Sequence, residues 1–188
     1  MKSKENSIEK KSSALLFGID DELDSYKIID TIVIRQAKAS DINALAELRW
    51  RLCTNDLPDD TIKKRKFIEE FCTTLPNIEN NDNCIHFVAE YDYKIISVLS
   101  VIKVTKIPSP NDPYHQYGYL TNVYTLPKFR NKGIGSALLD KVKNDLEIQK
   151  LELLIVWPSN KSFPFYQRNG FCRQPDPLVL KIIENKQI

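Results

Sequence analysis

The stretch Leu120-Thr-Asn-Val-Tyr-Thr-Leu-Pro-Lys-Phe-Arg-Asn-Lys-Gly-Ile-Gly135 reads as a strand that runs through a basic, glycine-bearing loop into a helix. A helix N-terminus carries unpaired backbone N–H groups and the positive end of the helix dipole, and both favour an anion. Gly133 and Gly135 let the backbone approach a bulky phosphate with no Cβ in the way. Lys128, Arg130 and Lys132 gather positive charge at the same point. Beyond the loop, Ser136-Ala-Leu-Leu-Asp-Lys-Val-Lys-Asn-Asp-Leu146 has helical spacing, with Leu138, Leu139, Val142 and Leu146 expected on one buried face. The segment predicts a phosphate cradle between a strand and a helix.

The common nucleotide loops do not fit it. There is no Gly-x-x-x-x-Gly-Lys-Ser/Thr, and Leu138 stands where the last glycine of Gly-x-Gly-x-x-Gly belongs. A second block lies downstream. Leu151-Glu-Leu-Leu-Ile-Val-Trp157 is short, apolar and β-branched toward its end, the pattern of a buried strand. Pro158 stops it, and Ser159 is placed to cap the helix that follows. That helix carries Phe165-Tyr166-Gln167-Arg168-Asn169 and ends at Gly170-Phe171, a C-terminal glycine followed by an apolar residue.

Together the two blocks resemble the GNAT N-acetyltransferases. The family's acetyl-coenzyme A loop, Arg/Gln-x-x-Gly-x-Gly/Ala, is matched by Arg130, Gly133 and Gly135, and Thr125-Leu126-Pro127-Lys128-Phe129 stands in place of the usual hydrophobic-x-Pro-x-aromatic lead-in. Phe165-Tyr166-x-x-x-Gly170-Phe171 matches the family's second hallmark, in the expected order. The resemblance implies an α/β (α+β) fold, with a central mixed, mostly antiparallel sheet and helices on both faces. It implies acetyl-CoA as co-substrate, no metal, and transfer of the acetyl group to a primary amine by direct attack in a ternary complex.

Residue roles follow from the same resemblance. Tyr166 matches the tyrosine that serves as general acid near the coenzyme sulfur, and a phenol with an ordinary pKa near 10 suits protonation of a thiolate at neutral pH. Val123 and Thr125 match positions that bond the pantetheine arm through main chain, and an N–H at Val123 or Tyr124 is expected to hold the thioester oxygen. The N–H groups of Asn131, Lys132, Gly133, Ile134, Gly135 and Ser136 are the expected pyrophosphate donors. Ser159 falls where many relatives bond the coenzyme with asparagine; being shorter, it is read first as a helix cap. Relatives often carry a base near Tyr119 and Thr121, and neither residue is one. His115, Asp112 and Glu90, or water held by Tyr119 or Thr121, are alternatives, and no base is assigned. Fold analogy puts the acceptor pocket between the first helix pair and the loop before the fourth strand. This makes Arg49 and Arg51 candidates to grip a carboxylate or phosphate, and Asp56, Asp59 and Asp60 candidates to attract a polyamine.

The rest of the chain agrees with one globular domain. Strands are expected at Thr31–Gln36, Ile85–Glu90, Ile95–Val104 and Gly118–Thr125, with Tyr91–Lys94 as a hairpin link. Helices are expected from Asp41 to about Leu52 and from Asp60 to Thr73, then a polar loop from Pro76 to Asn83, and two closing strands at Phe171–Gln174 and Leu178–Ile183. Residues 1–30 read as an extension and 31–188 as the catalytic domain. A net charge of +2 argues against a dedicated nucleic-acid binder. No apolar run is long enough to cross a membrane, and the polar start is not a signal peptide. Cys53, Cys72, Cys84 and Cys172 show no metal-type pairing and are read as buried free thiols of a cytoplasmic protein. A homodimer through the closing strands agrees with the family analogy. Two further functions stay open: a coenzyme-binding regulatory module, and acetylation of a protein or peptide.

Overall fold

The computed structural model describes residues 31–58, 60–79, 83–110 and 115–173, which fall in two compact units, one ending at Trp157 and the other starting at Pro158. The expected extension and the second closing strand, Leu178–Ile183, lie outside the described residues, whereas Phe171–Arg173 of the first are described and form no strand.

In the first unit the strands are β1 (Val33–Gln36), β2 (Cys84–Tyr91), β3 (Lys94–Thr105), β4 (Gln116–Thr125) and β5 (Leu154–Ile155), and the helices are α1 (Ile42–Thr54), α2 (Thr61–Glu79) and α3 (Ile134–Lys143). The second unit contains α4 (Phe163–Arg168). The sheet order is β1-β2-β3-β4-β5. The first four strands are antiparallel, and β5 adds in parallel through Gly118↔Leu154 and Tyr119↔Ile155. The sheet is mixed and mostly antiparallel, as expected.

Side chains alternate across the sheet, so each strand feeds two cores. Val88, Val98 and Tyr124 join Leu45 and Leu48 of α1 and Leu75 of α2 on one face. Their neighbours Phe87 and Leu99 point to the other face, where Ile134, Leu138, Leu139 and Val142 of α3 are buried. Leu146 is the exception: it is 76% exposed, because α3 ends at Lys143 and its periodicity no longer applies.

Four boundaries moved for physical reasons. The hairpin narrows to a two-residue turn, Asp92-Tyr93, closed by the pair Tyr91↔Lys94. Both turn residues have positive φ (49° and 56°), the geometry that suits tight hairpins. Helix α2 continues through Pro76 to Glu79, because Leu75 is buried in the core and packing outweighs the lost N–H. Strand β5 keeps only two residues of the expected seven-residue strand, with Trp157 61% exposed. Helix α4 starts at Phe163, with Ser162 as its N-cap and Pro164 in its first turn, where a missing N–H is tolerated. Ser159 accordingly caps the preceding turn, its Oγ accepting the Ser162 N–H at 3.3 Å. None of the four cysteines is in a disulfide. Cys53 and Cys172 are exposed rather than buried, and Cys72 and Cys84 are half-buried.

Candidate active site

The site is built on the end of β4. Strand β5 stops at Ile155, opposite Tyr119, while β4 runs on to Thr125 with no partner strand on that side among the described residues. Within this overhang the register to β3 slips by one residue, from Val98↔Tyr124 to Ser100↔Thr121. Asn122 occupies the bulge with φ 52°, a conformation asparagine tolerates better than most residues. Leu126 donates its N–H to the Ile96 carbonyl at 2.9 Å, so the pairing residue two positions earlier, Tyr124, also turns its backbone toward β3. The backbone of Val123 and Thr125 therefore faces the open edge. Of the two N–H groups expected to hold the thioester oxygen, that of Val123 faces the open edge and that of Tyr124 faces β3.

The chain then makes a short 3-10 turn, Pro127–Phe129, that buries the Phe129 ring. Asn131 (φ 60°) and Gly133 (φ 77°) are both left-handed and swing the backbone into α3. The first helical bond runs from the Ala137 N–H to the Gly133 carbonyl at 3.0 Å. The N–H groups of Ile134, Gly135 and Ser136 precede it and have no carbonyl within the helix, leaving them to face an anion. Lys132 is half-buried beside them, and Lys128 lies over the Phe129 ring, 4.8 Å from its centre.

Arg130, the first residue of the loop pattern, turns back toward the sheet. Its Nε donates to the Thr125 carbonyl at 2.8 Å and its Nη2 to Asp56 Oδ2 at 2.8 Å, with the guanidinium 5.3 Å from the Tyr124 ring centre. The Tyr124 hydroxyl donates to the other oxygen of Asp56. Burial and the neighbouring Asp56 carboxylate push the Tyr124 phenol up to about 12. Burial opposes ionisation of Asp56, but the hydrogen bonds from Tyr124 and Arg130 outweigh it and hold the carboxyl below its ordinary range.

The face of β2–β4 that carries Tyr119 and Thr121 is also polar in its interior. The His86 Nδ1 and the Ser100 Oγ share a hydrogen bond of 2.6 Å, Asn122 Nδ2 donates to Ser100 Oγ at 3.2 Å, and His86 Nε2 lies 3.5 Å from Cys84 Sγ. Burial pulls the His86 pKa down to about 4, so the imidazole is neutral at physiological pH. Tyr119 packs edge-on against Trp157, with 4.8 Å between ring centres. A cavity of about 450 Å³ lined by Gln36, Cys84, His86, Lys103 and Glu147 shares no residue with the loop.

The other sequence-based candidates are placed as follows. Arg51 pairs with Glu47 at 2.9 Å, and Lys64 reaches the same carboxylate at 2.8 Å; Arg49 is half-buried on α1. Trp50 packs on Phe67, 5.6 Å between ring centres, and so ties α1 to α2. Glu90 is held by Arg35 at 2.6 Å, His115 is exposed, and Asp60 caps α2 through its bond from the Lys63 N–H at 3.1 Å. Asp59 and Asp112 lie outside the described residues. In the second unit Tyr166 is 7% exposed, its ring between those of Phe165 (5.1 Å) and Phe171 (5.5 Å). Among the described residues no cluster of side chains forms a metal site.

Residues 82–173 match the family model described as an acetyltransferase (GNAT) domain. That stretch, just under half of the chain, is similar to a GNAT acetyltransferase domain. Its fold recurs in solved structures, three of which illustrate the range. A predicted acetyltransferase from Clostridium acetobutylicum, solved with acetyl-CoA, is 24% identical with a TM-score of 0.67, covering 83% of this chain and 99% of its own. Glucosamine-6-phosphate N-acetyltransferase from Arabidopsis thaliana is 20% identical with a TM-score of 0.61, covering 81% and 99%. A GNAT family acetyltransferase from Staphylococcus aureus is 18% identical with a TM-score of 0.59, again covering 81% and 99%. No protein of curated function matches the sequence significantly. At these identities the likeness shows the fold, and the chemistry must be argued from this chain's own residues. No helix among the described residues is long and apolar enough to cross a membrane.

Three features escaped sequence reasoning: the Asp56–Arg130–Tyr124 contact, the His86–Ser100–Asn122 chain, and the end of β5 opposite Tyr119. The first two join residues far apart in sequence, and no local pattern announces them. The bulge had one signal, an asparagine inside an otherwise apolar and aromatic strand.

Proposed function

We propose that residues 31–188 form an enzyme that transfers the acetyl group of acetyl-CoA to a primary amine of a small molecule. The observation that carries this reading is the pairing of an open β4 edge at Val123 and Thr125 with backbone donors at the start of α3. A thioester extended along that edge, with its phosphates on the loop, explains both features at once. The Clostridium acetobutylicum relative was solved with acetyl-CoA, in keeping with this assignment.

The step needs little beyond orientation and charge control. The neutral amine attacks the thioester carbonyl carbon, and the C–N bond forms as the carbonyl π electrons move to oxygen. The Val123 N–H steadies that oxygen. Collapse of the intermediate breaks the C–S bond, and Tyr166, the acid that the family resemblance assigns, protonates the departing thiolate. The proton lost by the amine passes to water.

The test is acetyl-CoA titration by calorimetry together with thiol release against a panel of amines, amino acids, polyamines and aminoglycosides. Binding with amine-dependent thiol release supports the enzyme. Tyr166→Phe is expected to lower turnover by about 10²–10⁴-fold at nearly unchanged coenzyme affinity, the usual contribution of a general acid. Unchanged turnover would remove Tyr166 from the mechanism.

One observation favours a second reading. Of the candidate bases, Glu90 is engaged in an ion pair with Arg35, His115 is exposed, and Asp112 lies outside the described residues. A coenzyme-binding regulatory module requires no base. Binding without turnover on any amine, peptides included, would select it.

A further inference from the structure

Arg130 stands at the root of the coenzyme loop, yet its guanidinium is directed at two other segments. It donates to the end of β4 (Thr125 carbonyl, 2.8 Å), to the turn between α1 and α2 (Asp56 Oδ2, 2.8 Å), and it lies over the Tyr124 ring. The turn is shaped for this contact. Helix α1 ends with two successive left-handed residues, Asn55 (φ 52°) and Asp56 (φ 58°). The Asp56 N–H then closes on the Arg51 carbonyl at 2.9 Å, and the carboxylate reaches across to β4. Both oxygens of Asp56 are used, one by Arg130 and one by the Tyr124 hydroxyl. The charges neutralise each other within the protein, so Arg130 offers an incoming phosphate much less than a free cation would.

We propose that Arg130 is a strut rather than a phosphate ligand, and that Asp56 is a positioning residue which, through it, locks the α1–α2 turn to the coenzyme loop. The inference rests on the loop's reading as a coenzyme site, and it deepens that reading. Its consequence runs against simple electrostatics. Removing a carboxylate near a site for a polyanion should tighten binding by Coulomb's law. Removing the anchor of a strut should instead let the loop N–H groups wander and weaken binding.

The experiment compares the full-length protein with Asp56→Ala, Asp56→Asn and Tyr124→Phe by calorimetric titration with acetyl-CoA, at a temperature where all remain folded. Hydrogen–deuterium exchange without coenzyme reads residues 127–137 in parallel. Asp56→Ala is expected to raise the acetyl-CoA dissociation constant by about tenfold, the size of one lost charge-assisted hydrogen bond. Asp56→Asn, which keeps one acceptor oxygen, should fall between it and the wild type, and Tyr124→Phe should have the smallest effect. Exchange across residues 127–137 should quicken in Asp56→Ala. Equal or tighter binding by Asp56→Ala would overturn the strut and leave Asp56 as a local counter-ion. So would a lower melting temperature with unchanged affinity, or faster exchange confined to residues 55–58. If the wild type binds no acetyl-CoA, the acetyltransferase reading fails by itself, and the exchange of residues 127–137 alone decides the strut.

Discussion

The two sides of the β4 overhang are built on opposite principles. The side proposed to hold the coenzyme consists of backbone: a left-handed Gly133, the first N–H groups of α3, and the outward-facing peptides of Val123 and Thr125. All of these come from one continuous stretch of chain. The Tyr119–Thr121 side is built from side chains of β2, β3, β4 and the turn after α1: His86, Ser100, Asn122, Tyr119 and Asp56. Backbone recognition tolerates almost any side chain that permits the conformation, so it leaves a short, portable pattern in the sequence. Side-chain recognition depends on which strands lie side by side, and it leaves none.

The contrast can be broken at its most exposed points. The largest effect is expected at His86. Its folded pKa of about 4 lies below the ordinary 6.5, so between these values the unfolded chain binds more protons than the folded one. The neutral ring's contribution is fully present above pH 6.5 and is lost as pH falls toward 4, a swing of about 3 kcal/mol. Unfolding free energies at pH 7 and pH 4 for the wild type and His86→Asn should differ in their pH dependence by that amount. An imidazole NMR titration with its midpoint near 6.5 would refute the buried, neutral assignment.

Next comes Gly133. A β-branched residue at φ 77° is strained, and Gly133→Val should cost roughly 2 kcal/mol, about thirtyfold in the acetyl-CoA dissociation constant. The conformation of the Tyr119–Thr121 side should not respond, and a spectral change at Trp157, which packs on Tyr119, would mean the two sides are less separate than described. The smallest effect belongs to Arg51, whose pairing with Glu47 is a partly exposed helical ion pair. Arg51→Ala should change stability by no more than about 0.5 kcal/mol by thermal melting. A large rise in the amine KM would show that Arg51 grips substrate after all.

The legible part of the site was the local part. Arg130, Gly133 and Gly135 suggested a loop shaped for an anion, and the structure gives Gly133 the left-handed backbone that glycine permits. Strand alternation found β1 to β4 and the buried stripe of α3 up to Val142. Periodicity failed where an element ended sooner or later than its pattern: at Leu146, beyond α3, and at Pro76, inside α2. Arg130 shows the limit most clearly. Its place in the pattern suggested a phosphate contact, whereas the structure spends its donors on Thr125 and on a carboxylate far away in sequence.

By itself the sequence determined the strand–loop–helix that faces an anion, because φ preferences, helix-start N–H groups and glycine freedom act within a few residues. Only the tertiary structure decided how far β4 outruns β5. The strands meet at Gly118, where a Cβ would lie 2.4 Å from Leu154 Cδ2, so this side-by-side packing requires a glycine. Only the tertiary structure, too, brought Asp56 to Arg130 and His86 to Ser100. Those contacts join segments that meet only when the sheet and its helices are packed, and no short-range rule encodes which residues will then be neighbours.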